Sequence, residues 1–380
     1  MSNVNEAIAQ FQKVVNNPGS YVKKYLADTG NKAIGYLYYA PQELIHAAGM
    51  LPVGIWGGNI ELSAARSYLP SFYCGILQTA LEMGIKGTLD ILDGVIMPAN
   101  CDALRGMGQN WKVAVPKVEF ISLVPPFNRK TEAGVKYLLA EYEDIKTKLE
   151  RISSNKITDE AMANSINVFN KYRHTMRTFT KVARDYPDII TPSVRNAVIK
   201  SACFMDKEKY TALVEELIKE LKALPVKEWN GKKLVVSGIK MDSPALLRAL
   251  EENKVAVVSD DLAQETRLFR SDVLQTSANP LENLARYWST MEGCSLLFDA
   301  EKKRCDMIIA DVKETAADGV LFCMTKFCDP EEFDYPIFKK RLEAENIPHL
   351  YIETDLEMEN DEQARTRIQA FVEMVEIMNS

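Results

Sequence analysis

The stretch DGVLFCMTKFCD (318–329) has the pattern of a buried β-strand followed by a polar loop, with one cysteine in each part. An earlier stretch, DGVIMPANCD (93–102), also opens with Asp-Gly-Val and an apolar run and also ends in Cys-Asp. In open α/β sheets, ligands bind just beyond the carboxyl ends of the strands. Cys101 and Cys328 therefore occupy comparable positions in two separate α/β units, and a cleft between those units would bring them together.

The rest of the chain supports two such units on either side of a mostly helical middle. We predict strands at 32–39, 50–56, 93–98, 117–124, 233–239, 254–261, 305–312, 318–324 and 347–355. Strands that alternate with helices indicate an α/β fold with parallel sheets covered on both faces. The predicted organisation is an N-terminal α/β lobe (1–130), a helical segment (131–228) and a C-terminal α/β lobe (229–380), with a linker at 225–233.

Helix signals divide these units further. A helix is predicted over 70–85 with Ser71 as its N-cap. The last helix is predicted to start at 360–363, where Asn360 and Gln363 have capping-box spacing. Its buried stripe is predicted to consist of Ala364, Ile368, Phe371, Val372, Val375 and Ile377.

Length and composition exclude several classes of protein. The 380 residues exceed one ordinary core, and 47% hydrophobic with 26% charged residues is typical of a globular chain. A formal net charge of −7 argues against nucleic acid as a partner. Because no apolar run reaches about 18 residues and no secretory signal pattern opens the chain, we expect neither membrane insertion nor export. Seven cysteines without dense spacing indicate a reducing cytoplasm.

The cysteines separate by position. Cys323 lies inside a strand, where packing is the expected role of a free cysteine. Cys328 and Cys101 lie in polar loops beyond strands, where a core does not explain them. Cys203 is predicted to be core, and nothing beside Cys294 or Cys305 gives either a role.

Cys74 has two interpretations of equal weight. A position at the start of a helix favours a thiolate, whereas Ile76 and Leu77 beside it favour simple burial. Cys74, Cys101 and Cys328 are therefore the candidate ligands. Three thiolates suit an iron–sulfur cluster in which one iron lacks a cysteine ligand, and they also suit a Cys₃ zinc site.

Other chemical signals are few. The acidic stretches DDLAQETR (260–267) and DPEEFD (329–334) are predicted to be solvated or to cap helices. Of the three histidines, His46 lies on an apolar helix and is predicted to be structural. We find no nucleotide-binding, zinc-protease or nucleophile-elbow motif.

Several motifs together resemble the β-subunit of the 2-hydroxyacyl-CoA dehydratases, anaerobic enzymes related to the benzoyl-CoA reductase subunits. They are YAPQELIHAAGMLPVGIWGG (39–58), NCDALRGMGQNW (100–111), DDLAQETRLFR (260–270), FCMTKFCDPEEFDYP (322–336) and EQARTRIQAF (362–371). The resemblance implies two Rossmann-like lobes with parallel sheets and a helical segment. It also implies a 4Fe–4S cluster in the cleft between the lobes, held by Cys74, Cys101 and Cys328.

The same resemblance implies a function. A homologous α-subunit would complete a heterodimer, and a separate ATP-hydrolysing iron–sulfur activator would inject one low-potential electron. The pair would convert an (R)-2-hydroxyacyl-CoA to an enoyl-CoA through a ketyl radical, and the electron would then return. This chain's cluster would relay or store the electron, and no catalytic acid or base is expected on it.

Further expectations follow from the family. Asn100, Asp102, Gln109 and Trp111 are candidates for contacts around the cluster. Some relatives carry FMN, which makes it a second candidate cofactor. Two other functions stay open at this point: a subunit of a benzoyl-CoA-reductase-type enzyme, and an iron–sulfur electron carrier that acts alone.

Overall fold

The computed structural model describes residues 2–354 and 362–379. Within those residues, eight strands form two four-stranded parallel sheets with the orders β2-β1-β3-β4 and β6-β5-β7-β8. The first sheet contains β1 (Ala33–Tyr36), β2 (Leu51–Gly54), β3 (Gly94–Pro98) and β4 (Glu119–Leu123). The second contains β5 (Lys232–Gly238), β6 (Val255–Leu262), β7 (Gly319–Thr325) and β8 (His349–Thr354). The predicted α/β class with parallel sheets is confirmed, and the two sheets share one strand order.

The repeated Asp-Gly-Val has a structural reason in each sheet. The Asp93 carboxylate accepts the Ala33 N–H at 3.0 Å, and the Asp318 carboxylate accepts the Lys233 N–H at 2.7 Å. Each aspartate thus joins the start of its own strand to the start of the neighbouring central strand. A Cβ on the following Gly319 would lie 2.7 Å from the Pro348 carbonyl oxygen, so only glycine fits between the strands there.

Helices cover both faces of the first sheet. One face packs on α4 (Gly75–Ile85) and α5 (Asp102–Ala114), with α2 (Pro18–Thr29) beside them. The opposite face packs on α3 (Gln42–Ala47) and α6 (Glu132–Ser153). Alternate residues of β3 divide between the two sides, with Val95 and Met97 on the first and Ile96 on the second.

The second sheet is covered in the same manner. One face packs on α10 (Pro244–Glu252) and α15 (Glu362–Asn379), and the other on α13 (Lys303–Thr315) and α14 (Asp329–Ala344). Cys323 is fully buried on the α10 side, as predicted for a packing cysteine. The short α11 (Thr266–Phe269) follows β6, and α12 (Pro280–Thr290) precedes α13.

A helical unit lies between the lobes in sequence. It contains α7 (Asp159–Ala183), α8 (Pro192–Ser201) and α9 (Lys207–Lys222), and α1 (Ser2–Asn16) packs into the same apolar cluster. The Phe11 ring of α1 meets the Tyr210 ring edge-on, with 5.8 Å between centroids. The predicted linker is irregular from residue 225 to residue 231, and β5 begins at Lys232.

One predicted strand is wrong. Residues 305–312 belong to α13, because their buried positions, Cys305, Ile308 and Val312, recur at helical spacing. A short apolar run is ambiguous between strand and helix, and here Asp306 faces solvent while Asp311 is partly buried and accepts a hydrogen bond from the Ser259 hydroxyl at 3.1 Å.

Two helix assignments also change at their ends. Cys74, not Ser71, is the N-cap of α4, because residues 70–73 form a turn in which the Tyr73 N–H donates to the Pro70 carbonyl at 3.1 Å. In α15, Ala364, Ile368, Phe371 and Val375 are buried and Val372 is partly buried, but Ile377 is 76% exposed near the helix end. Asn360 of the predicted capping box lies outside the described residues.

The prediction of solvated acidic stretches is wrong for most of their carboxylates, although Asp329 and Glu332 are exposed in the first turn of α14. Asp260, Asp261 and Glu265 of the first stretch are buried, as are Glu331 and Asp334 of the second. All five carboxylates form hydrogen bonds or ion pairs with buried arginines: Asp260 and Glu265 with Arg195 of α8, and the other three with Arg267 or Arg304. Among the described residues, no helix is long and apolar enough to span a membrane.

A buried glutamate fixes α4 to the loop before it. Glu82 is fully buried, and its carboxylate accepts the N–H groups of Ser63, Ala64 and Ala65 at 3.1, 3.2 and 2.7 Å. The Ser63 hydroxyl adds a fourth bond at 2.8 Å. Burial by itself raises the pKa of the Glu82 carboxyl, but these donors outweigh it and hold the pKa at about 2.

We expect Glu82→Gln to lower the free energy of unfolding at pH 7 by about 1–3 kcal/mol, because an amide cannot accept all of these bonds. The pKa of Glu82 is lower in the folded chain, so its contribution is complete above pH ~4.5 and is lost as the pH falls toward 2. Chemical unfolding at several pH values measures the difference in the free energy of unfolding between variant and wild type, which is the gap referred to below. Glu61→Gln, at an exposed position of the same region, is the control. A gap that stays constant from pH 7 to pH 3 would contradict this assignment.

Candidate metal-binding cleft between the lobes

The three candidate cysteines begin three helices. Cys74, Cys101 and Cys328 are the N-cap residues of α4, α5 and α14, respectively. Cys101 follows β3 and Cys328 follows β7, the third strand of each sheet along the chain. In both sheets the strand order reverses next to these strands, and such switch points are where open α/β sheets bind ligands.

All three cysteines line one cavity of about 340 Å³. Its walls come from both lobes, with Tyr38, Trp56 and Asn100 on one side and Ile239 and Thr325 on the other. The predicted convergence of Cys101 and Cys328 in a cleft is therefore present in the structure, and Cys74 joins them. Cys203, Cys294, Cys305 and Cys323 are buried in the chain and do not line this cavity.

The three helix starts surround the thiols with backbone donors. The Cys101 Sγ accepts the Leu104 N–H at 3.4 Å. Leu77 and Glu331 stand three residues after Cys74 and Cys328, and their N–H groups donate to the carbonyl oxygens of those cysteines, each at 3.0 Å. Both N–H groups are also close enough to the thiols to favour the thiolate form. Three helix N-termini with partial positive charge thus face one cavity, which is a suitable environment for a negatively charged group.

Without a bound cation the thiols hold their protons at neutral pH. Burial raises the pKa of Cys74 to about 11 and also raises the pKa of Cys101. The pKa of Cys328 lies well above its usual value, because burial is reinforced by Glu331 and then by Cys74. The three thiols are close enough to affect one another's ionisation, and a cationic centre would displace their protons on binding.

Several buried polar atoms at the cavity have no hydrogen-bond partner. They are the Trp56 Nε1, the Asn100 Oδ1 and the Thr325 Oγ1. Unpaired buried polar groups are costly and need an explanation, and a bound group with polar atoms is one. The Asn100 side chain is fixed at the cavity wall, since its Nδ2 donates to the Tyr38 carbonyl at 3.2 Å.

A buried lysine joins the two lobes beside Cys74. The Lys240 Nζ donates to the Trp56 carbonyl oxygen at 3.2 Å and to the Asp242 carboxylate at 3.1 Å. Burial lowers the pKa of Lys240, and Asp242 opposes that shift. The ammonium also favours the Cys74 thiolate, so this contact between the lobes lies close to a candidate ligand.

Two of the four residues predicted to lie around the cluster do not line the cavity. Asn100 and Asp102 line the cavity, but Gln109 and Trp111 do not. Trp111 is buried in the N-terminal lobe, where its Nε1 donates to the Val118 carbonyl at 3.2 Å, and Gln109 is exposed on the outer side of α5. His46 bonds to Ser165 at 2.9 Å and is structural, as predicted.

Other cavity residues were missed at the sequence level. Tyr38 and Trp56 follow β1 and β2, and Thr325 ends β7, so the rule about strand ends would have found them. Phe327, two residues after β7, follows the same rule, whereas Phe127 and Phe333 have no such signal, because exposure of an aromatic ring depends on the tertiary fold.

The three cysteines line the cavity without forming a ready-made site for a single ion. Within residues 2–354 and 362–379, no group of three or more His, Cys, Asp or Glu side chains is arranged to hold one metal ion.

Comparisons with known proteins extend over nearly the whole chain. The family model described as "2-hydroxyglutaryl-CoA dehydratase, D-component" matches residues 37–375. The (R)-phenyllactyl-CoA dehydratase beta subunit of Clostridium sporogenes is 48% identical and covers 98% of this chain and 100% of its own. Lactoyl-CoA dehydratase subunit beta of Anaerotignum propionicum is 45% identical, and the match covers 99% of this chain and 100% of the relative. (R)-2-hydroxyglutaryl-CoA dehydratase, subunit beta, of Acidaminococcus fermentans is 43% identical, and the match covers 97% of this chain and 99% of the relative.

The cap geometry makes a prediction for the chain without metal. A serine hydroxyl caps a helix better than a thiol does, so Cys101→Ser should leave the thermal midpoint unchanged or raise it by a few degrees. Cys323→Ser is the contrasting variant, because it buries a hydroxyl in the core and should cost about 1–3 kcal/mol. Thermal melts of both metal-free variants measure the difference. Destabilisation by Cys101→Ser equal to that by Cys323→Ser would mean that Cys101 is a packing residue.

Proposed function

Because the chain belongs to the 2-hydroxyglutaryl-CoA dehydratase D-component family, we propose that it is the β-subunit of an enzyme that removes water from a 2-hydroxyacyl-CoA to give an enoyl-CoA. The structural observation that carries this proposal is the convergence of three N-cap cysteines from both lobes on one cavity. The three relatives named above are all dehydratase subunits, which favours a dehydratase over a benzoyl-CoA reductase and over a carrier that acts alone.

The residues of the cavity fit an iron–sulfur cluster. Cys74, Cys101 and Cys328 would hold three irons of a 4Fe–4S cluster, and the unpaired Trp56 Nε1 and Thr325 Oγ1 offer donors for its sulfurs. When bound, the cluster would supply one stored low-potential electron to the heterodimer. We confine the proposed cofactor to this cluster, and FMN stays a prediction from the family resemblance.

The chain's own contribution is binding and control of the environment. The helix N-termini offset the negative charge of the thiolates and sulfides, and apolar walls such as Ile76, Ile239 and Leu296 limit the access of water. The carboxylates that line the cavity, Asp102 and Asp329, are both exposed in the first turns of their helices. We assign them a favourable interaction with the positive ends of their helices, and we assign substrate binding and proton transfer to the partner α-subunit.

The proposed reaction needs an electron because the hydrogen that leaves is β to the thioester and is not acidic. One-electron reduction of the substrate thioester gives a ketyl radical, which allows the hydroxyl group to leave. Loss of the proton then becomes feasible, and the electron returns at the end. An ATP-hydrolysing iron–sulfur activator is the proposed source of that electron, so ATP would be needed only in catalytic amount.

We expect anaerobic co-expression with the α-subunit to give a complex with about one cluster's iron on this chain and dehydratase activity that needs only catalytic ATP and a reductant. Cys328→Ala should lose that iron and the activity, because one of three thiol ligands is removed. Cys323→Ala is the matched control, since it deletes the packing cysteine on the preceding strand, and it should keep both. Iron and acid-labile sulfide per chain, followed by the assay, measure the result.

Two outcomes of this experiment decide between the functions. If wild-type protein binds no iron, or if Cys328→Ala keeps it, the cluster assignment fails. If iron is present but each turnover consumes ATP and reductant in stoichiometric amount, the chain belongs to a reductase and not to a dehydratase.

The proposed partner has a suitable surface at the mouth of the cavity. Phe127, Phe327 and Phe333 line the cavity and are 68%, 40% and 78% exposed. Phe72 and Phe298, 65% and 70% exposed, stand two residues from the cavity residues Cys74 and Leu296. Exposed aromatic rings grouped at one opening are typical of an interface, and a homologous α-subunit bound there would close the cavity to water.

The double variant Phe127→Ser, Phe333→Ser should weaken association with the α-subunit at least tenfold, because aromatic anchors carry a large share of interface energy. Val226→Ser, Leu274→Ser is the control, since both residues are more than 60% exposed and neither lines the cavity. Sedimentation or calorimetry with the purified α-subunit gives the dissociation constants. Equal affinity of the two double variants would place the interface elsewhere on the chain.

A further inference from the structure

Glu331 differs from its counterparts at the cavity. The residues three positions after Cys74 and Cys101 are Leu77 and Leu104, whereas the residue three positions after Cys328 is this glutamate. Glu331 is 2% exposed, although it lies in the first turn of α14. Its N–H donates to the Cys328 carbonyl oxygen at 3.0 Å, so its backbone is tied directly to the cysteine.

Two buried arginines clamp the Glu331 carboxylate. The Arg267 Nη1 donates to Oε1 at 2.9 Å, and the Arg304 Nη2 donates to Oε2 at 2.6 Å. The Ser295 hydroxyl also donates to Oε1, at 2.7 Å. Both carboxylate oxygens are thus fixed by donors from three separate segments, and the side chain has one position.

The clamp is itself anchored to the second sheet. Arg267 and Arg304 both donate to the Asp261 Oδ2, at 3.0 and 2.6 Å, and Asp261 lies near the end of β6. Arg304 also donates to the Ser237 hydroxyl of β5 at 2.8 Å. The first turn of α14 is therefore coupled through Glu331 to the carboxyl ends of two strands.

Stability alone does not account for this arrangement. Buried ion pairs are often no more stabilising than well-packed apolar residues, because the charges must be taken out of water. The two other helix starts have leucine at the same position. The charge beside Cys328 thus calls for a role connected with that cysteine.

We propose that Glu331 is a positioning residue that holds Cys328 toward the cavity. Its charge also lowers the reduction potential of the group that the three cysteines bind. This inference rests on the cluster of the proposed function. A fixed negative charge beside a cluster disfavours its reduced form, and net charge and nearby hydrogen bonds set such potentials.

The test compares Glu331→Gln with Glu332→Gln. The first substitution keeps the size of the side chain but removes its charge and weakens both arginine contacts, whereas Glu332 is an exposed carboxylate of the same helix turn. In the metal-free chain, alkylation of Cys328 by iodoacetamide is followed by mass spectrometry against Cys101 as an internal reference. In the iron-loaded complex, a redox titration with electron paramagnetic resonance gives the reduction potential.

We expect Glu331→Gln to raise the relative alkylation rate of Cys328 at least threefold and to move the potential in the positive direction, while Glu332→Gln changes neither. Ser295→Ala is the milder second variant, because it removes one donor to Glu331 without a change of charge. It should raise the alkylation rate about twofold, and it decides the question if Glu331→Gln does not fold.

The outcomes are separable from those of the proposed function. If the wild-type chain binds no iron, the cluster proposal fails, but the alkylation rates still report on the clamp. If the alkylation rate of Cys328 is the same in wild type, Glu331→Gln and Ser295→Ala, the positioning role is wrong. If only folding stability changes, Glu331 is a structural residue.

Discussion

The position of the candidate site depends on how β3 and β7 are fixed in their sheets. Asp93 and Asp318 each bond to the N–H that starts the adjacent central strand, and the glycine that follows allows the strands to approach closely. With the starts of these strands fixed, their carboxyl ends and the cysteines beyond them are fixed as well. Two sheets of the same strand order, facing each other, then bring Cys101 and Cys328 to one cavity.

The two lobes contribute different physical environments to that cavity. The N-terminal lobe supplies two cysteines, the Tyr38 and Trp56 rings and an apolar core behind them. The C-terminal lobe supplies one cysteine, and behind it lies a network of buried carboxylates and arginines. Charges buried in this manner are retained only when each is paired, and the hydrogen bonds of Arg267 and Arg304 meet that condition.

Much of this arrangement could be predicted from the sequence, and the failures have physical reasons. Repetition of Asp-Gly-Val and Cys-Asp located the two facing cysteines, and a position at the start of a predicted helix made Cys74 the third candidate. The family resemblance, which the comparisons confirm, implied the same three. The run 305–312 resembles a strand because strand and helix share short apolar segments. The acidic stretches resemble solvated loops because their partners, Arg267 and Arg304, are recognisable only once the fold brings them together.

The unequal division of the thiols between the lobes has a mechanical consequence. Cys74 and Cys101 cap helices that pack on the first sheet, whereas Cys328 caps a helix that packs on the second. Anything held by all three cysteines therefore ties the two lobes together, and its loss leaves two thiols on one sheet and one on the other.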